Sequence, residues 1–210
     1  MSTEPKGRFF SKFLSALSGK PSVSEQENPE LSPYAPKQNE PDDLKFVKKF
    51  TEAGGNFLYC ESSEDAVFNL QKILLETGVR NLFVPEDSLR SLLSNQNIKS
   101  SSGCDSSDGI FTSCEALVSF NGGVMIDGFQ TGGNTLSSLP ETHIIYGKTS
   151  LIVQNLSAGM SKINNRYKDQ RPSQITTLKG PRDKGVLQAS ADPNKKRNLY
   201  LLLIEDVLKL

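Results

Sequence analysis

The chain has no tryptophan, a single histidine, His143, and three cysteines. Each scarcity excludes a class of chemistry. One histidine rules out a two- or three-histidine metal site. Cys60, Cys104 and Cys114 form no Cys-x-x-Cys pair. An iron–sulfur cluster or structural zinc would need about four ligands at tighter spacing. The three are read as reduced thiols in a cytoplasmic protein, and no cofactor or metal is expected. No apolar run approaches the roughly 20 residues of a membrane span. The longest, Leu199–Ile204, suits a buried strand. The segment Arg8–Ser18 is too short and interrupted for a signal-peptide core. Formal net charge is zero, so overall charge gives no argument about nucleic acid.

A length of 210 residues is enough for one good core. Mean hydropathy is −0.40 and hydrophobic content 36 %, low for a wholly compact chain. The deficit lies at the start. Residues 8–18 put Phe9, Phe10, Phe13, Leu14 and Leu17 on one helical face, beside Arg8 and Lys12. Residues 19–41 are rich in proline, glutamate, serine and asparagine, without a period, and read as a linker. The chain therefore divides into 1–41, an amphipathic helix plus disordered linker, and 42–210, an α/β domain.

Within the domain, strands and helices alternate. A helix capped at Asp42 stops at Gly54-Gly55, and the strand Asn56–Cys60 follows. A helix capped by Ser62 or Ser63 stops at Gly78. Next come the strand Asn81–Pro85, a short helix from Glu86, and a polar loop over Lys99–Gly109. Strand-like runs cover Ala116–Phe120, Gly123–Asp127 and Thr142–Gly147. Ser150–Lys168 reads as one long helix weakened by Gly159, and Ser173–Leu178 and Asn198–Asp206 close the pattern as strands. Apolar strands between amphipathic helices predict a largely parallel α/β sheet covered on both faces.

Charge is uneven along this pattern. Residues 40–130 hold 14 acids against 7 bases, and residues 160–197 hold 10 bases against 3 acids. The basic stretch suits a solvated surface or the rim of an anion site. No aromatic platform accompanies it, so no nucleic-acid partner is expected.

Three glycine-bearing loops at strand ends are the candidate ligand site. Asn121-Gly122-Gly123 forms a hairpin signal between two strands. Thr131-Gly132-Gly133-Asn134 follows within about a dozen residues, and Lys179 to Arg182 follows a later strand. Bare backbone N–H groups and Arg182 would suit a small anionic ligand. Cys114 has no base beside it to make a nucleophile. Glu115 and Asp127 are a candidate carboxylate pair, although strand alternation can put them on opposite faces. His143 opens a strand and reads as structural. No nucleophile–base–orienter set is visible, and the catalytic residues stay unassigned.

The order of these pieces resembles the LUD domain family, the group that includes lactate utilization protein C. The likeness runs from Gly54-Gly55-Asn56-Phe57-Leu58-Tyr59-Cys60 to Ile204-Glu205-Asp206, and is closest to the version seen in Bacteroidota-like bacteria. Its strongest part is Gly109–Leu156, where Cys114-Glu115, Gly122, Gly133, Leu136, Pro140 and His143-Ile144-Ile145 follow the family order. The resemblance implies a fold similar to the NagB/RpiA/CoA-transferase-like domains. It also implies a cytoplasmic accessory role in lactate or related hydroxy-acid utilization, beside iron–sulfur oxidoreductase partners that carry the redox centres. The alternatives are a non-catalytic binding or scaffold protein, touching a partner or membrane only through residues 8–18, and an enzyme acting on an anionic metabolite. The chain departs from the family at its loops. Asn121 replaces a threonine, Asn134 replaces an arginine, and Lys179-Gly180-Pro181-Arg182-Asp183-Lys184 replaces a glycine–x–serine–arginine–threonine–alanine–aspartate signature. A later glycine–proline turn is Asp192-Pro193-Asn194. These changes imply a retained fold with altered site loops.

Overall fold

A computed structural model describes residues 40–96, 98–101, 103–168, 170–181 and 197–206. The expected amphipathic helix and nearly all of its linker lie outside these residues. The first described helix, α1, spans Asp42–Glu52 and buries Phe46, Val47 and Phe50 on one face. Its N-cap is Pro41, not Asp42. Asp42 instead accepts a hydrogen bond from Ser119 Oγ at 2.7 Å, tying the helix start to a distant hairpin. The strand β1, Asn56–Cys60, follows the Gly54-Gly55 turn. Helix α2, Ser63–Thr77, starts where the Ser62 hydroxyl accepts the Asp65 N–H at 3.2 Å. It ends at Gly78, whose φ of 72° lies in the left-handed region. Then come β2, Leu82–Phe83, and the short helix α3, Asp87–Leu93.

One strand appears where a loop is expected, and another in the stretch just after it, to which no element is assigned. Ser100–Ser101 pairs with β2 as the edge strand β3, and Gly109–Ser113 forms β4. β4 is central, not peripheral: it pairs with β2 on one side and with β7, Thr142–Lys148, on the other. The last strand, β10, Asn198–Ile204, lies between β1 and β7. The resulting six-stranded sheet has the order β1-β10-β7-β4-β2-β3, and every pairing in it is parallel.

A second sheet holds the other four strands. β5, Ala116–Val118, and β6, Gly123–Ile126, form the expected antiparallel hairpin. β9, Thr176–Leu178, pairs with β6, and β8, Ile152–Val153, pairs with β5. The long helix expected over 150–168 is therefore split. Its β-branched start joins the sheet as β8, and Asn155 then caps a shorter helix, α4, Leu156–Arg166, by accepting the Ala158 N–H at 2.9 Å.

The layers follow from alternation in β10. Tyr200, Leu202 and Ile204 face α2 and α3, where they meet Val67, Leu70 and Leu89. Leu199, Leu201 and Leu203 face the opposite way, onto Phe46 and Phe50 of α1 and Leu117 and Val124 of the second sheet. One face of the parallel sheet is thus covered by helices, the other by α1 and the small sheet. Helix α4 forms an outer layer, packing Ile163 on Ala116, Val118 and Met125. Gly159 serves this contact: a Cβ there would lie 2.4 Å from Met125 Sδ. Among the described residues no helix is long and apolar enough to cross a membrane.

Candidate functional site

Six parallel strands put their carboxyl ends along one rim, where open α/β sheets take their ligands. The residues at or just beyond four of these ends converge. Glu86 follows β2, Ser113 ends β4, Lys148 ends β7, and Asp206 follows β10. All four line one pocket of about 490 Å³, together with Tyr146 and Arg166.

Glu86 is held from one side by Ser113. One carboxyl oxygen accepts the Ser113 N–H and the other accepts Ser113 Oγ–H, each at 2.6 Å. Burial pushes the Glu86 carboxyl above its ordinary range. The two bonds from Ser113 oppose that shift, and the nearby carboxyls of Asp127 and Glu115 add to it.

Behind Ser113 stands Gln130. Its Oε1 accepts the Asp127 N–H at 2.9 Å. Its Nε2 donates to Ser113 Oγ at 3.2 Å and to Glu115 Oε1 at 2.9 Å. Glu115 is 3 % exposed. It also accepts the Tyr167 hydroxyl at 3.0 Å and pairs with Arg166 at 3.2 Å. Asp127 uses one oxygen to accept the N–H groups of Phe129 and Gln130, and its other oxygen is buried without a partner among the described residues. Its carboxyl is raised, chiefly by burial. Glu115 and Asp127, which strand alternation can separate, therefore meet around one glutamine. Strand period does not apply at either residue, because Glu115 lies between strands and Asp127 lies past the end of β6.

On the opposite wall, Asp206 accepts Thr149 Oγ1 at 2.9 Å, the Ser150 N–H at 2.8 Å, and the Ser150 hydroxyl. Burial pushes this carboxyl up, but the bonds from Ser150 and Thr149 prevail and hold it below the ordinary range. Lys162 Nζ donates to the Ser150 carbonyl at 2.6 Å. Lys148 has no acidic or hydrogen-bonding partner among the described residues. The pocket thus offers one uncommitted cation, a second on Arg166, and the half-buried Glu86 carboxyl with spare lone pairs. A small organic anion suits this set. No group of three or more histidine, cysteine or acidic side chains among the described residues is arranged to hold a metal ion.

The loops expected to bind ligand fall in two places. Asn121 accepts the Gly123 N–H at 3.0 Å, and Gly122, at φ 68°, abuts the backbone of Lys49 and Phe50 in α1. Lys179 continues from β9, and Gly180 after it abuts Ala53 just past α1. These two loops share the α1 side of the molecule. The turn Thr131–Asn134 lies elsewhere. Gly132 abuts Phe83 and Pro85, beside Glu86, and Asn134 Nδ2 donates to the Thr131 carbonyl at 2.9 Å. Arg182 lies outside the described residues. Glu86, Ser113, Lys148 and Asp206 escape a reading that follows glycine turns. The signal for them is simpler: each is a polar residue at or just past the end of a parallel strand.

His143 is fully buried, its Nε2 on the Thr112 hydroxyl, as a structural histidine should be. Cys114 lines the pocket, yet burial drives its thiol far up, so it supplies no thiolate.

A parallel α/β sheet with its pocket on the carboxyl rim defines the class of protein. Residues 102–203 match the LUD domain. A search of curated proteins finds no match. The crystal structure of a DUF162 family protein from Deinococcus radiodurans is similar, with a TM-score of 0.55 at 16 % identity. The likeness covers 77 % of this chain and 93 % of that one, and it concerns the fold.

Proposed function

We propose that the protein is a cytoplasmic accessory component of lactate or related hydroxy-acid utilization, binding a small carboxylate in the carboxyl-rim pocket. Iron–sulfur oxidoreductase partners would carry the redox chemistry, since this chain offers no cluster ligands of its own. The observation that carries the reading is Lys148: a lysine at the end of a central strand, lining a pocket, with no ion-pair partner among the described residues. A carboxylate placed there gains a charge-assisted hydrogen bond. Arg166, which lines the same pocket, adds positive charge. The match of residues 102–203 to the LUD domain supports the metabolic setting.

Thermal shift with L-lactate, pyruvate, propionate and inorganic phosphate tests this reading. A ligand at about 100 times its Kd stabilises the fold by about 2.7 kcal/mol. At least one carboxylate should raise the melting temperature of the parent, and Lys148→Ala should abolish that rise. No stabilisation by any of the four would overturn the proposal.

A further inference from the structure

The hydrogen bonds behind the pocket run in one direction. Gln130 Oε1 accepts the Asp127 N–H, a group that can only donate. The Gln130 amide is thereby oriented, and its two Nε2 hydrogens go to Ser113 Oγ and Glu115. Ser113 Oγ receives one hydrogen and must give its own elsewhere. Glu86 Oε1, at 2.6 Å, takes it. Glu86 Oε2 takes the Ser113 N–H. Both carboxyl oxygens are therefore acceptors on their protein side, whatever the ligand.

A carboxylate has about four acceptor positions. Glu86 fills two of them with Ser113, whereas Asp206 across the pocket fills three with Thr149 and Ser150. Glu86 is thus the wall acceptor with the larger remaining capacity. Its partner Ser113 cannot turn to accept from a ligand without leaving Glu86 or Gln130 unsatisfied. The pocket then asks for two things of one molecule: a negative group for Lys148 and a hydrogen to donate to Glu86.

We propose that Glu86 is the specificity-determining residue of this pocket, selecting anions that carry a hydroxyl hydrogen over otherwise equal anions that lack one. The inference rests on the carboxylate-binding reading above and adds the residue that discriminates within that class. Removing the donor from the ligand leaves a half-buried acceptor, covered by that ligand, without its partner, so the preference should be about tenfold in Kd.

Isothermal titration calorimetry on the full chain decides it, with propionate, L-lactate and (S)-2-methoxypropionate as probes. The methoxy acid keeps the oxygen and removes its hydrogen. The parent should bind lactate about tenfold more tightly than either of the others. Glu86→Gln should bring the lactate-to-propionate ratio to about one, because one end of the amide becomes a donor facing Ser113. Lys148→Ala should weaken lactate and propionate alike and leave their ratio standing. If the parent binds lactate and propionate equally, and both depend on Lys148, the role of Glu86 is overturned while the anion site stands. If the methoxy acid binds as well as lactate, the hydroxyl hydrogen is not what is read, and the role of Glu86 falls on the parent protein alone. If the parent binds none of the three, the anion site and this inference fail together.

Discussion

The imidazole Nε2 of His143 lies 2.8 Å from the hydroxyl of Thr112 on the neighbouring strand, and solvent reaches neither residue. Burial, with the nearby Arg197 guanidinium, pulls the His143 pKa down to about 3. The unfolded chain titrates near the ordinary value of about 6.5. A depressed histidine contributes stability that is whole above the unfolded value and drains away as pH falls toward the folded one. Glu86 and Asp127 act with the opposite sign, because their carboxyls are raised. The histidine contribution must therefore be isolated by difference. Between about pH 7 and about pH 4 the parent should lose more unfolding free energy than His143→Gln, read by urea titration. Parallel losses in the two proteins would show that the buried imidazole is not the acid-sensitive group.

Asp127 carries a buried oxygen with no partner among the described residues, while its other oxygen holds two backbone N–H groups. Asp127→Asn keeps the two accepted bonds and removes the burden of a buried charge. The expected result is a rise in melting temperature of roughly 2–4 °C at neutral pH. The gain should shrink on acidification, as the parent carboxyl takes up its proton. A fall at neutral pH would mean that the charge is compensated, with Arg166 the first candidate.

Gly122 combines a left-handed φ of 68° with a close approach to α1, where a Cβ would lie 2.5 Å from Phe50 N. Gly122→Ala should cost about 1–3 kcal/mol in urea unfolding. Carboxylate affinity should remain in whatever fraction stays folded, because the turn packs on α1 and none of its residues lines the pocket. Unchanged stability would indicate that hairpin and helix separate freely.

All three thiols are buried, and each is raised by desolvation, Cys60 up to about 11. Native protein should react with a thiol-specific chromogenic reagent only as fast as it opens, and denatured protein should titrate three equivalents at once. A fast native equivalent would identify a mobile wall, with pocket-lining Cys114 the first position to map.

The fold was legible wherever local chemistry and tertiary packing agree. Ser62 and Gly78 bracket α2 because a hydroxyl acceptor and a left-handed glycine are the ordinary ends of a helix. Asn121 and Gly122 turn the hairpin for a similar local reason. β4 escaped because Gly109–Ser113 is short and mostly polar in neighbourhood, and its burial comes from β7 and β2 rather than from its own pattern. Ile152 and Val153 fit a helical period, yet β5 offered them backbone partners, and nothing local announces that strand. The site was missed for a related reason. Glycine turns mark where backbone is bare, but two of the three pack against α1. Glu86, Ser113, Lys148 and Asp206 lie far apart along the chain, and only the strand order brings them together.

That strand order bears on how the protein can be divided. The family-matched stretch supplies β4, β7 and almost all of β10, the middle of the six-stranded sheet. Both flanks, β1 on one side and β2 with β3 on the other, come from residues before it. A fragment trimmed to the matched boundaries would present two raw parallel borders, each a row of unpaired amides and carbonyls ready to template another copy. The preceding residues therefore act as guards against polymerisation, and Glu86 sits among them.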